Sequence, residues 1–271
     1  MAGSGPLVLT EALADRIERA LAGASASRTT EIGRLPDDPL GLERRTFGRL
    51  MARLVRRELA YYPYFSGPFD PRADADHVID ELVAWYRERS AACYIRLSPV
   101  FSSDRLLAAL ARAGLRQSGF MSVLFGKPRP ASTPPPTDTR IDVVKVSDLD
   151  VFLDLWTAGA PEAERPLRQR LARAEFARWC CFVARVDDRP AAHAALYLDH
   201  PSSTAVLAAA ATLPDFRGRG CQAALLHARL AEAARHGCEL AVVEATPGST
   251  SQRNLERVDL RLAYTKVIWT F

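Results

Sequence analysis

The chain has 271 residues, 48% hydrophobic and 25% charged, with a formal net charge of +4, an ordinary globular balance with enough length to bury a core without staples. The positive surplus is small and unclustered, which argues against a nucleic-acid footprint, and no segment approaches the ~18 apolar residues of a membrane span. Cys93, Cys180, Cys181, Cys221 and Cys238 show no C-x-x-C spacing and fit a reduced, cytoplasmic setting; no signal-peptide pattern opens the chain, and the histidines at 77, 193, 200, 227 and 236 form no ligand-spaced set, so no metal is expected.

In chain order, Thr10 is positioned to cap a helix over Glu11–Ala22. A strand at Leu42–Phe47 precedes a helix running through Leu59. The stretch Arg44–Arg57 holds six arginines and no carboxylate, and its apolar spacing reads as a solvated helix face rather than a polyanion site. A helix over 77–89, a strand over 93–99, a helix over 101–114 capped by Ser102 or Ser103, and a strand over 120–125 complete the first half. Residues 127–140 are rich in proline and read as a semi-rigid linker.

The second half alternates strand and helix. A strand at 141–146 is followed by helices over 148–159 and 166–179. An antiparallel pair, 180–188 and 191–200, turns at Asp187-Asp188-Arg189-Pro190. A strand over 203–212 leads through a glycine loop into a helix over Cys221–His236, with Ala223, Leu226, Leu230 and Ala233 on one face and Gly237 as its stop. A buried strand at 239–246, a short helix Thr250–Val258 with Ser249 and Gln252 as a capping box, and a final strand Arg261–Phe271 close the chain. Both halves end in a Ser-capped helix, a two-residue step before Arg116 or Arg261, and an alternating strand. They read either as two copies of one unit or as a chance likeness between common helix–strand units, and only the second carries the glycine loop.

That loop, Thr212 to Leu226, reads TLPDFRGRGCQAALL. A helix N-terminus offers unpaired N–H groups and partial positive charge, and glycines let the backbone approach a ligand closely. With Arg217 and Arg219 adding charge, the loop suits a pyrophosphate. No Lys-Ser/Thr follows the last glycine, so it is not a Walker loop. Gly218 to Ala223 does match a G-x-G-x-x-A dinucleotide fingerprint, with Glu239 at the expected remove. Against that nicotinamide reading, Leu213 to Arg217 separate the strand from the loop, and too little chain follows.

The string Arg217-Gly218-Arg219-Gly220-Cys221-Gln222 resembles the R-x-x-G-x-G/A loop of the GNAT acyltransferase superfamily, as does its setting between a strand ending in Thr-x-Pro and an "ALL" helix. The resemblance covers about Ile141–Phe271, and the first half is similar to the degenerate copy of tandem-GNAT proteins. It implies an α/β fold of mixed α+β character: a central, mostly antiparallel sheet flanked by helices, in two similar-sized halves. The divisions are then 1–126, a degenerate GNAT-like domain; 127–140, a linker; and 141–271, an acyl-CoA-binding acyltransferase domain expected to bind CoA as a fragment from residue 138.

The resemblance further implies acetyl-CoA as co-substrate and an amine acceptor, with the protein a monomer or homodimer. The donor would sit on Ala211, Thr212, Leu213, Arg217, Gly218, Arg219, Gly220, Cys221, Gln222 and Ala223, with Ser251 and Asn254 at its pantetheine arm or acting as caps. Glu244 is the candidate base, or a structural carboxylate; Tyr264 is the candidate acid, or a packed aromatic. His193 reads as a core histidine and Cys221 as a small packed residue. Two departures stand out. Gln222 occupies the loop's last Gly/Ala position, and Leu255 stands where the family's short helix carries a tyrosine. The second departure keeps open a non-catalytic acyl-CoA-binding module.

Overall fold

The computed structural model describes residues 8–48, 50–56, 75–129 and 141–271. Thr10 caps as expected: its hydroxyl accepts the N–H of Leu13 at 3.2 Å, occupying an amide that a helix start leaves open. The helix it starts, α1 (Glu11–Ile32), continues past the predicted end at Ala22. Gly23, Ser25 and Ser27 are weak helix formers, but Ala20, Ala24 and Ile32 are buried and α1 packs on elements of the second half. Packing outweighs local propensity here.

The helix expected after Phe47 is instead a strand. β1 (Leu42–Phe47) and β2 (Leu50–Val55) form an antiparallel hairpin, Phe47 facing Leu50. Gly48, at φ +58°, supplies the left-handed backbone of its turn. Leu50, Ala52 and Leu54 alternate and are buried, a period of two rather than 3.6. Residues 57–59 of the expected helix lie outside the described residues. The basic stretch is therefore not a solvated helix face, and one of its arginines, Arg53, is only 4% exposed.

The remaining elements follow the expected order: α2 (Ala75–Arg87), β3 (Tyr94–Leu97), α3 (Asp104–Arg112), β4 (Arg116–Gly126), β5 (Ile141–Val146), α4 (Asp150–Trp156), α5 (Arg165–Glu175), β6 (Cys180–Val186), β7 (Arg189–Asp199), β8 (Thr204–Thr212), α6 (Cys221–Arg235), β9 (Leu240–Ala245), α7 (Thr250–Arg257) and β10 (Arg261–Thr270). Ser103 is the cap of α3. Asp187 and Asp188 both adopt positive φ, the two-residue turn that matches the twist of a hairpin.

Eight strands make one sheet in the order β3-β10-β4-β9-β8-β7-β6-β5. Every pairing is antiparallel except β8 with β9. The mixed α+β class and the mostly antiparallel sheet are as expected. The sheet nevertheless runs through both halves of the sequence. β4, the last strand of the first half, pairs with β9 of the second; β10, the last strand of the second half, pairs with β3 of the first. β4 and β10, the two strands that echo each other in sequence, lie side by side from Arg116↔Thr270 to Phe125↔Arg261. The boundary at 126 and 141 divides the sequence and not the sheet.

His193 on β7 is a core residue, as expected. Its Nδ1 lies 2.9 Å from the Ala209 carbonyl, and the rings of Phe152 and Trp156 meet it edge to face. Burial pushes its pKa down to about 4. The unfolded chain takes up that proton near pH 6.5, so the stability from a neutral His193 is present above pH 6.5 and is lost as pH falls towards 4. The expected loss between pH 7.5 and pH 5 is about 2 kcal/mol. Urea midpoints at those two pH values, for the parent and for His193→Gln, measure it. Equal pH dependence in the two proteins would remove His193 as the source.

Candidate functional site

The site is built where two parallel strands part. β8 and β9 pair from Thr204↔Leu240 to Leu207↔Val243 and then stop, although β8 continues to Thr212. At that point β8 bulges: Ala209 takes φ +52°, and the register with β7 slips between His193 and Ala195. Two buried side chains grip the bulge. His193 meets the carbonyl of Ala209, and Arg229 on α6 donates to the carbonyl of Ala208 at 3.4 Å. Burial pushes the Arg229 pKa down to about 9. A bulge beside a functional site re-aims strand backbone; here it turns residues 208–212 away from β9.

A groove of about 700 Å³ opens beside this divergence. Its floor is the Arg-Gly-Arg-Gly loop. Gly218 (φ +77°) and Gly220 (φ +90°) both hold left-handed backbone, which a side chain strains. Nothing lies within 4 Å of where a Cβ on Gly218 would sit. Gly220 is the N-cap of α6, and no side chain caps that helix, so its first-turn amides face the groove without a protein acceptor of that kind. This is the arrangement that binds phosphate oxygens.

Of the twelve residues expected to hold a donor, ten line the groove: Ala211, Thr212, Arg217, Gly218, Gly220, Cys221, Gln222, Ala223, Ser251 and Asn254. Leu213 instead packs against the core. Arg219 lies over the Phe216 ring at 5.5 Å, on a ring that Arg189 also covers at 5.1 Å. The structure adds Ala210, Phe216, Thr250 and Arg257 to the lining. Thr250, Asn254 and Arg257 sit at helical spacing on one face of α7, a signal already present in the sequence. Cys221 is buried, and burial pushes its thiol pKa up despite the helix N-terminus; it is a packed residue. Half of the capping box forms. Ser249 Oγ accepts from Gln252 N–H at 3.2 Å, whereas the Gln252 side chain accepts from Gly248 N–H at 3.0 Å. Leu255 is buried in the core, so α7 brings no tyrosine to the groove.

The two candidate catalytic residues fall elsewhere. Glu244 lines a second cavity, of about 90 Å³, with Ala208 of β8 and residues of α1. Its carboxylate is 3.0 Å from Arg96 and 3.1 Å from Lys266. Lys266 also reaches Glu18 at 2.8 Å, and the Tyr264 hydroxyl donates to Glu18 at 2.7 Å. Burial alone would raise the Glu244 pKa, but the charges of Lys266 and Arg96 hold it below the ordinary carboxylate value. Burial, and then Glu18, push the Tyr264 pKa up. Tyr264 lines neither cavity and stays a phenol bonded to Glu18. The structure thus brings Glu244 to the strand divergence and does not bring Tyr264 there.

Glu239, the acidic residue of the dinucleotide reading, is exposed and ion-paired with Arg16 at 3.4 Å. Cys180 on β6 has its Sγ within 4.8 Å of ligand atoms of Glu232 and His236, which stand four residues apart at the end of α6. The Glu232 carboxylate is already bonded to Arg235, Lys145 and His236. Its hydrogen bonds from Arg235 and Lys145 hold its pKa down to about 2.

Residues 149–256 match the sequence model of the acetyltransferase (GNAT) family. No curated protein sequence matches the chain. Among solved structures, the chain is similar to a GCN5-related N-acetyltransferase from Sphaerobacter thermophilus: TM-score 0.60, 15% identity, 97% of this chain and 93% of that one covered. It is similar to a tandem GNAT protein from the clavulanic acid biosynthesis pathway, determined without AcCoA, with TM-score 0.60, 14% identity, and 98% and 97% coverage. It is also similar to a GCN5-related N-acetyltransferase from Kribbella flavida, with TM-score 0.56, 17% identity, and 92% and 94% coverage. At these identities the likeness is one of fold.

Proposed function

We propose that the protein is an acyl-CoA-dependent N-acyltransferase, with acetyl-CoA as donor, that passes the acyl group directly to an amine, a reading that starts from the match of residues 149–256 to the acetyltransferase (GNAT) family model. The observation that carries the reading is the glycine loop at the uncapped start of α6, opening onto a groove beside the divergence of β8 and β9. The amides from Gly218 to Ala223 would hold a pyrophosphate, with Arg217 and Arg257 supplying charge. The free edge of β8 at 208–212 offers backbone donors and acceptors to an extended pantetheine arm, and Thr250, Ser251 and Asn254 line its other side. The second cavity, lined by Ala208 and Glu244 where β8 and β9 part, is where an acceptor would meet the thioester. In this division of labour residues 141–271 supply the donor groove, and the first half walls the acceptor side through α1, β2 and β3.

Amine attack on a thioester needs the ammonium deprotonated and the oxyanion stabilised. A carboxylate clamped by two cations is a weak base, so Glu244 acts best as the negative charge that orients an ammonium while water removes the proton. The departing thiolate needs no strong acid, since a thiol pKa is about 8.5. Tyr264→Phe is therefore expected to lower turnover by less than tenfold, below the ~10²-fold floor of acid–base groups. Glu244→Gln is expected to cost more, and also to destabilise by about 3 kcal/mol, because Arg96 and Lys266 both lose this carboxylate and Lys266 keeps Glu18 alone. Turnover with an accepted amine, a pH–rate profile and melting temperatures test the pair. A large loss in Tyr264→Phe with the high-pH limb gone would restore the tyrosine as acid.

The second reading, an acyl-CoA-binding module without turnover, is favoured by one observation: buried Leu255 stands where the family places its tyrosine. Calorimetric titration with acetyl-CoA, CoA and NAD, followed by turnover against an amine panel, separates the readings. NAD binding at the expense of CoA would sink both. For setting, all five cysteines are free, which supports a reduced, cytoplasmic location. Among the described residues no helix is long and apolar enough to cross a membrane.

A further inference from the structure

The cavity beside Glu244 has a surplus of buried donors. Its charged lining is Glu18, Arg28, Arg53, Arg96, Glu244 and Lys266. Most of these charges are matched. Lys266 spans Glu18 and Glu244, Arg96 meets Glu244, and Arg28 pairs with the fully buried Glu175 of α5. Arg53 is the exception. Among the described residues no carboxylate pairs with it. One terminal nitrogen donates to Ser25 Oγ, the other approaches Met51 Sδ at 3.5 Å, and its Nε has no partner. Trp179, 8% exposed, lines the same cavity, and its indole N–H is likewise without an acceptor.

A guanidinium removed from water without an anion is costly, and native structures rarely leave buried donors unmet. Here the backbone is fixed to present this one. The Tyr86 hydroxyl donates to the Arg53 carbonyl at 2.7 Å and lies 3.3 Å from the Arg53 N–H, locking β2 at that residue. Burial, together with repulsion from Arg44 and Arg28, lowers the Arg53 pKa to about 10, so it remains a cation at neutral pH. The rest of the wall at α1 is small, with Ala22, Ala24 and Ser25, which leaves room for a few heavy atoms against the arginine.

We propose that Arg53 and Trp179 form a carboxylate-binding site in the acceptor-side cavity, so that one of the two reactants carries a carboxylate. The two sources are an amino-acid-like acceptor, its amine towards Glu244 and its carboxylate towards Arg53, and a dicarboxylic acyl group reaching in on its thioester. The inference rests on the acyl-CoA reading of the groove.

The test uses the full-length protein and calorimetry. One arm compares succinyl-CoA with acetyl-CoA. The other, with CoA present, compares glycine, β-alanine and γ-aminobutyrate with methylamine, ethylamine and propylamine. The carboxylate-bearing ligand of one arm is expected to bind at least about tenfold more tightly than its neutral counterpart, the value of one hydrogen-bonded charge. Preference in the first arm assigns the carboxylate to the acyl group, and in the second to the acceptor. Arg53→Gln should bring the ratio to within about twofold while acetyl-CoA binds as in the parent. Trp179→Phe, which keeps the ring and loses only the N–H, should reduce the preference by about three- to tenfold and remains informative if Arg53→Gln does not fold. No carboxylate preference in the parent, or a preference that survives both variants, overturns the site. A parent that binds no acyl-CoA at all overturns the groove reading first.

Discussion

Gly220→Asp is expected to abolish acetyl-CoA binding and to leave the protein folded. Gly220 holds φ +90° and is the N-cap of α6, and it lines the groove proposed for the donor, beside Gly218 and Cys221. Any side chain there strains the backbone by about 1–2 kcal/mol, a tolerable fraction of the 5–15 kcal/mol typical of a folded domain. Aspartate is a favoured helix cap, so it would satisfy α6 with its own carboxylate and occupy the amides that phosphate must reach. It also sets a negative charge against the pyrophosphate. Losing two or more charge-assisted hydrogen bonds weakens binding by more than about 10²-fold. Gly220→Ala is the control, carrying the same strain without the charge, and is expected to lose far less. Titration calorimetry and thermal melting on both variants decide it. Parent-like affinity in Gly220→Asp would place the pyrophosphate elsewhere.

What the sequence disclosed follows a physical line. Local signals were legible: the Thr10, Ser103 and Ser249 caps, the Asp187-Asp188 turn, and above all the glycine loop, whose left-handed backbone at Gly218 and Gly220 only certain residues tolerate. The family resemblance rested on that loop, and the family match now covers it. Tertiary effects were not legible. Residues 50–55 carry helix formers and read as helical, yet Leu50, Ala52 and Leu54 face a core that only long-range packing creates. Glu244 was singled out from its strand, but nothing local shows that Lys266 and Arg96 clamp it, since those partners come from β10 and β3. Tyr264 is a candidate acid, or a packed aromatic, from its place on the closing strand; its partner Glu18 is on α1, at the far end of the sequence. Arg53 was hidden in a basic run that looked solvated. Its burial depends on β2 lying between α1 and Tyr86, a juxtaposition that spacing does not encode.

The exchange of last strands between the halves carries the other large effect. Residues 138–271 alone are expected not to fold, contrary to what a proline-rich junction suggests. Within that fragment β10 has no partner, because both of its neighbours in the sheet, β3 and β4, belong to the first half. Its ten residues would leave a ladder of backbone groups unmet, and buried Trp269, which packs in the core of the first half, would face water. β9 would lose β4 and become an open edge bearing Val242 and Val243, the kind of apolar edge that seeds aggregation. Lys266 and Glu244 would keep each other but lose Glu18 and Arg96, and α1 would no longer cover β7 and β8. No single term decides the outcome, but their sum far exceeds the ~5–15 kcal/mol by which a domain of this size is stable. The fragment is therefore expected to be insoluble or to melt without a cooperative transition. Co-expressed with residues 1–126, it should recover a soluble complex that binds acetyl-CoA, since the exchanged strands can pair across a broken chain. A monomeric 138–271 fragment that melts cooperatively and binds acetyl-CoA as the intact protein does would show that β10 can find another place in the sheet, and that the two halves are separable after all.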